Sequence, residues 1–211
     1  MKSRGPKLEP FSRVWGFDRG RPIDRYYIES FLAANQRFIR GRALEVANDH
    51  YTRRFGRGVL ESDVLNVAAG DSRTTIVADL AVGEGIPSAA FDCFICTQTL
   101  HLIYEVRAAA ETIHRLLKPG GVALVTVPGI SQISRADMDR WGDFWRFSSA
   151  SAGRLFTGAF PGGKVEVESH GNLAASIAFL YGLAAEEVRA ETLDVHDPDY
   201  ELLLTVLAFR G

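Results

Sequence analysis

The stretch Gly41 to Thr52, GRALEVANDHYT, is a short apolar strand that runs directly into a turn. A strand entering a helix through a tight turn is where an α/β domain binds an anionic or nucleotide ligand, because backbone N–H groups point outward there. Glycines are expected at such a turn, yet Glu45-Val46-Ala47-Asn48-Asp49-His50 places small, polar and bulky residues in their stead. The central question is whether this turn still holds a ligand.

The surrounding chain is that of a globular protein. With 211 residues, 46% of them apolar, a single domain over 1–211 with a sizeable core is expected. Lys and Arg number 24 against 26 Asp and Glu, a net charge of -2. That leaves no global basic field, which counts against nucleic acid and favours a small-molecule substrate. Cys93 and Cys96 lie in one apolar run, FDCFIC, and read as small buried hydrophobes rather than a disulfide or metal pair, which implies a reducing cytoplasm. The start MKSRGPKLEPFSRVWGF has no apolar signal region, and no uncharged apolar run is long enough to span a bilayer, so a soluble protein with no membrane association is expected.

Outward from the turn, helices and strands alternate. Upstream, Met1 to Pro22 reads as an irregular arm carrying Phe11, Trp15 and Phe17, of the kind that docks across a homodimer interface. Pro22 then starts a helix whose stripe of Ile23, Tyr26, Tyr27, Phe31 and Leu32 runs to about Arg37. Downstream, strands are expected at 42–47, 58–64 and 75–79, with an all-apolar central strand at 91–96. A helix over 106–117 stops at Lys118-Pro119-Gly120-Gly121 and leads into a strand at 122–127. Helices at 149–160 and 173–188 and strands at 164–169 and 202–209 complete the pattern; the intervening helix excludes a hairpin between the last two strands. The fold class is α/β: a doubly wound, mostly parallel, seven-stranded Rossmann-like sheet with helices on both faces.

In such a sheet ligands bind beyond the carboxyl ends of the strands. Asp63 lies about eighteen residues after Glu45, near the spacing at which a carboxylate accepts from both ribose hydroxyls. Asp79 is placed either to accept from an adenine amino group or to cap a helix before Leu80.

Taken in order, the acid-ended strands, IPSAAFDCFICTQTLHLI and LLKPGGVALVTVP resemble the class I S-adenosylmethionine-dependent methyltransferases. The resemblance rests on Phe91-Asp92, Leu100-His101 and Arg115 to Gly121, and covers about residues 42–127. It implies S-adenosylmethionine as cofactor, with 1–40 as arm and helix, 41–127 as the cofactor-binding core and 128–211 as the acceptor side. It also implies Glu45 as the first-strand acid, Asp63 as the ribose acid, Asp79 and Leu80 around adenine, and Thr97 as the wall behind the cofactor. The chain departs from the family at Ala47, Asp49 and Tyr51, where glycines are usual. Asn48 and Asp49 offer side-chain oxygens to the cofactor's ammonium group in compensation.

Methyl transfer to a hydroxyl needs an acceptor in line with the methyl and a group that takes the proton. His101, after the fourth strand, is the first candidate for that base, against a packing role. The loop SQISRADMDRWGDFWRFS concentrates Arg135, Asp137, Asp139, Arg140, Trp141, Asp143, Trp145 and Arg146 where the family's acceptor pocket opens. Asp143 is taken with His101 as catalytic; Tyr26, Arg135, Asp139, Trp141, Trp145, Arg146 and His170 are assigned to the acceptor. Rings and carboxylates together suit a carbohydrate, whereas a lid held by its own ion pairs is the plainer alternative. Asp137, Asp139 and Asp143 also offer oxygens to a divalent cation such as magnesium, without the spacing of a cation-binding loop.

WGDFWRFS and IDRYYIESF resemble small methyltransferases of glycan pathways, including mycobacterial methylmannose polysaccharide synthesis, which implies O-methylation of a small sugar or short glycan. Two other readings compete. One is a non-catalytic methyltransferase-like binding or assembly protein with a degenerate loop. The other is a nicotinamide-dependent reductase, which the missing GxGxxG disfavours.

Overall fold

A computed structural model describes residues 8–70 and 72–211. The sheet has seven strands: β1 (Gly41–Val46), β2 (Val59–Asn66), β3 (Ile76–Val77), β4 (Phe91–Thr97), β5 (Leu117–Pro128), β6 (Lys164–His170) and β7 (Leu203–Phe209). Their order is β3-β2-β1-β4-β5-β7-β6. β1 to β5 pair in parallel, and β7 is antiparallel to both of its neighbours, β5 and β6. The expected seven-stranded, mostly parallel α/β sheet is therefore the observed one. The intervening helices exclude a tight hairpin between β6 and β7, yet the two strands are antiparallel neighbours.

Period-two alternation sends each strand's side chains into two cores. On one face α1 (Ile23–Ala34), α2 (His50–Phe55) and α6 (Leu173–Leu180) pack on Cys93, Ile95, Val122, Leu124 and Leu207. On the other, α3 (Val106–Leu116) and α5 (Ser149–Ala159) cover Phe94, Cys96, Ala123, Val125 and Val206. The two cysteines thus enter opposite cores, and burial raises both thiols, that of Cys96 to about 12. They act as small hydrophobes.

The paired motifs FD and LKPGG have a shared structural reason. The Asp92 carboxylate accepts from Lys118 Nζ at 2.7 Å and from the Arg42 amide at 2.8 Å, which ties β4, β5 and β1 together at the end opposite the ligand. A Cβ on Gly41, where φ is +64°, would lie 2.4 Å from that carboxylate, so only glycine fits.

Five boundaries differ from expectation, the largest shift being in β5, which starts at Leu117 and takes in the Lys118-Pro119-Gly120-Gly121 stretch expected as a turn. β2 extends to Asn66, two residues beyond Val64, whereas β3 keeps only Ile76 and Val77. The first helix ends at Ala34, with a 3-10 turn at Gln36–Phe38 after it. The helix starting at Leu173 stops at Leu180, because Gly182 (φ +72°) turns the chain; the expected remainder to Val188 holds only a 3-10 turn at Ala185–Glu187, and a short α7 (Ala190–Leu193) follows it. A Cβ on Gly182 would sit 2.3 Å from the carbonyl oxygen of Ser12, so this turn is also where the N-terminal arm docks. Among the described residues no helix covers the chain between β2 and β4, and Leu60 is left 85% exposed. None of the described helices is long and apolar enough to cross a membrane.

Candidate active site

A cavity of about 980 Å³ lies at the carboxyl ends of β1 to β4. Its floor is the turn after β1. Glu45 is 3% exposed, and its two carboxylate oxygens accept from the Tyr51 amide at 3.0 Å and the Thr52 amide at 2.7 Å. Burial pushes its carboxyl up, opposed by the hydrogen bonds from Thr52 and Tyr51. The acid therefore fixes the first turn of α2 as a glycine loop would be fixed.

Ala47 has φ +72°, the left-handed conformation for which glycine is the usual residue. The backbone of the loop is thus retained without its glycine. Asn48 lines the cavity, but its Oδ1 already accepts from the His50 amide at 2.9 Å. Asp49 does not line it, and its carboxylate pairs with Arg53 at 2.6 Å. The expected compensation by both side chains is therefore corrected: Asp49 is spent on the helix. Tyr51 forms part of the wall, buried against Phe55, with its hydroxyl accepting from Arg25 Nη1 at 3.1 Å.

Asp79, Leu80 and Thr97 also line the cavity. Asp79 Oδ1 accepts from the Ala81 amide at 2.7 Å within a turn, with no helix after it to cap, and Asp79 remains at the cavity wall. Asp63 does not line it. Because β2 runs on to Asn66, Asp63 stands in mid-strand, where its carboxylate binds Arg42 at 2.8 Å and Thr75 Oγ1 at 2.7 Å. The strand-end position belongs to Asn66, which lines the cavity and donates from Nδ2 to the Ala47 carbonyl and to Thr74 Oγ1. Sequence reasoning missed Asn66 by ending β2 too early. The signal was present: Val64-Leu65 continues the apolar pattern, and the turn residues begin only at Ala68-Ala69-Gly70.

A second, smaller pocket of about 180 Å³ is lined by Asp24, Gln98, His101, Ser131, Asp143 and Arg146, with the rings of Trp15 and Phe17. It shares Phe17, Arg25, Gln98 and Asp137 with the large cavity. The arm straps across it. Phe11 and Ser12 donate to the Tyr181 carbonyl and Arg19 pairs with Glu187 on one side; on the other, Gln132 Nε2 donates to the Arg13 carbonyl at 2.7 Å. Trp15 Nε1 reaches Ser131 Oγ at 3.4 Å.

His101 is 9% exposed, and its Nδ1 is buried without a hydrogen-bond partner among the described residues. Burial lowers its pKa to about 4, against the pull of Asp143 and Asp137. Burial works to raise the carboxyl of Asp143, but two bonds from Arg146 and one from the Ser134 amide hold it below the usual range. The Asp24 carboxyl is pushed up by burial, and its hydrogen bond comes from the Arg25 amide at 2.8 Å.

Of the residues assigned to the acceptor, Trp141 lines the large cavity and Arg146 the small one. The others are corrected. Trp145 is a packing residue, its indole donating to the Ile103 carbonyl at 3.0 Å while the ring stacks on Tyr104. Arg135 and Asp139 sit exposed on α4 (Arg135–Arg140) and line neither pocket. Tyr26 donates to Asp194. His170 hydrogen-bonds Thr205 Oγ1 at 3.0 Å and stacks on Tyr27, away from both pockets. Among the described residues no three His, Cys, Asp or Glu side chains come together to hold a metal ion.

The methyltransferase-domain family model matches residues 8–173, and the chain belongs to that family. Solved structures agree on the fold. A chain of the complex between the Haloferax volcanii Trm112 methyltransferase activator and its methyltransferase is 17% identical, with a TM-score of 0.59 over 89% of this chain and 90% of that one. A Mesorhizobium loti S-adenosylmethionine-dependent methyltransferase is 16% identical, with a TM-score of 0.57 over 89% and 98%. Haemonchus contortus phosphoethanolamine N-methyltransferase 2, solved with S-adenosyl-L-methionine, is 15% identical, with a TM-score of 0.56 over 87% of this chain and 52% of that one. No curated protein sequence matches the chain. The chain is thus a methyltransferase-domain protein with the fold of the S-adenosylmethionine-dependent methyltransferases.

The residues fit that cofactor. The cavity lies at the strand ends, Glu45 holds the loop, and Ala47 keeps a left-handed backbone there. The departure is at the end of β2, where Asn66 rather than a carboxylate lines the cavity.

Proposed function

We propose that the protein transfers a methyl group from S-adenosylmethionine to a hydroxyl of a small sugar or the end of a short glycan, for example a mannoside. The observation that carries this reading is the small pocket opening off the cofactor cavity beside the end of β4. Its Asp24, Gln98, His101 and Ser131 supply hydrogen-bonding groups, and Trp15 and Phe17 supply rings, the combination that suits a pyranose. A volume of about 180 Å³ matches one monosaccharide unit better than the interior of a polymer.

When bound, S-adenosylmethionine supplies an electrophilic methyl group. The chain's part toward the cofactor is positional. Glu45 holds the loop, Leu80 and Asp79 flank the adenine, Asn66 meets the ribose, and Thr97 stands behind the methionine end. The arm excludes water from the acceptor side, which raises the effective concentration of the aligned acceptor. Transfer of radiolabelled methyl to a monosaccharide or short glycan tests the reading; folded protein that binds cofactor yet labels only amines or phenols refutes it.

The second reading, a binding or assembly protein that no longer uses cofactor, is favoured by Asn66 in place of an acid. Micromolar binding of S-adenosylhomocysteine, about -8 kcal/mol, disposes of it.

A further inference from the structure

We propose that His101 is a fixed hydrogen-bond donor to the acceptor oxygen, through Nε2–H, and that the acceptor's proton passes instead to the carboxylate of Asp24. This rests on the small pocket being the acceptor site.

The tautomer follows from burial. A neutral imidazole carries its proton on one nitrogen and a lone pair on the other. Nδ1 of His101 is sealed from solvent and has no partner among the described residues. A buried N–H without an acceptor is rarer in folded proteins than an under-satisfied acceptor, so the bare lone pair belongs on Nδ1 and the proton on Nε2. The same burial keeps the ring neutral at physiological pH. To act as a base the ring would have to receive the acceptor's proton on Nδ1, which no acceptor reaches. What Nε2 can do is donate.

A proton acceptor must then come from the carboxylates of the pocket. Asp143 is committed to Arg146 and the Ser134 amide, and Asp137 to Ser134 Oγ. Asp24 accepts from backbone amides, that of Arg25 at 2.8 Å and its own, and no side-chain hydrogen bond to it is seen among the described residues. It projects from the first turn of α1, with Arg25 beside it on that helix; the other ionisable groups around the pocket are His101 after β4 and Asp137, Asp143 and Arg146 after β5. Burial raises its carboxyl, which makes its carboxylate a better base than that of an exposed aspartate. As the acceptor oxygen bonds to the methyl carbon, the bonding pair of the broken C–S bond stays on sulfur. The hydroxyl proton goes to Asp24 and from there to solvent.

Long-range proton–nitrogen NMR of histidine-labelled protein saturated with S-adenosylhomocysteine tests the donor without any acceptor. His101, assigned by its loss in His101→Gln, is expected as the Nε2–H tautomer from about pH 8 to about pH 5. An Nδ1–H tautomer, or an imidazolium at about pH 6, overturns the donor role.

Asp24→Asn is expected to keep S-adenosylhomocysteine affinity within about twofold, with an unchanged or higher melting temperature, and to slow transfer to sugar by about 100-fold or more. His101→Gln, whose amide still donates, is expected to lose about tenfold or less. An Asp24→Asn variant that transfers at the normal rate, or that melts earlier because the carboxylate is structural, overturns the base role. If no sugar is methylated although S-adenosylhomocysteine binds, the proposed function fails and the base role with it, while NMR still decides the tautomer.

Discussion

The turn after β1 and the end of β2 stand side by side at the cavity and have departed from a cofactor site in opposite ways. At the turn the glycines are gone, but the conformation survives: Glu45 grips the amides of Tyr51 and Thr52, and Ala47 takes a left-handed φ of +72°. At β2 an acid is present, but in the wrong place. Asp63 binds Arg42 in mid-strand and Asn66 occupies the end. A function carried by backbone geometry tolerates changes of side chain, provided the fold can enforce the geometry. One carried by a side chain depends on register, which two residues of strand length decide.

The largest effect is expected from breaking the turn. Glu45→Ala leaves two buried amides without an acceptor and should cost about 3 kcal/mol in urea unfolding, with cofactor binding lost. A destabilisation below about 1 kcal/mol would mean that the loop is held by something else.

The acceptor side offers a pH-dependent contrast. His101 titrates near 6.5 when unfolded and at about 4 when folded. The unfolded chain therefore takes up a proton that the fold refuses, and stability present above pH 6.5 falls between there and 4. At pH 5 the loss from this residue is about 2 kcal/mol, and His101→Gln should remove it. Equal pH slopes for the variant and the native protein would contradict the buried, neutral ring.

Much of the architecture was legible because it rests on periodicity. The central strand FDCFIC and the alternation of helices and strands specify the sheet, and Asp92 with Lys118 explains why FD and LKPGG travel together. The antiparallel insertion of β7 was not legible, since pairing direction leaves no mark in a single strand's pattern. The site was less legible still. Trp145, His170 and Tyr26 have the chemistry of binding residues and spend it on packing or on internal hydrogen bonds, a distinction made by tertiary contacts alone. Phe17 and Asp24 lie far in sequence from the β4 end; the first reaches the pocket on the arm that docks at Gly182 and the second on α1.

A smaller effect returns to the turn. A left-handed alanine costs about 1–2 kcal/mol, and glycine returns part of that gain as backbone entropy of about 0.5–1 kcal/mol. Ala47→Gly should therefore stabilise the protein by about 0.5 kcal/mol and leave S-adenosylhomocysteine affinity equal or higher. A destabilised variant would show that the φ at this position does not strain the alanine.

The smallest effect is expected at Asp63, and it tests the account most directly. Calorimetry of S-adenosylhomocysteine binding to the native protein, Asp63→Ala and Asn66→Ala should give micromolar affinity, the same affinity, and about tenfold weaker affinity, respectively. Abolished binding in Asp63→Ala with Asn66→Ala unaffected, or no binding to the native protein, would contradict a working cofactor site whose ribose position is Asn66.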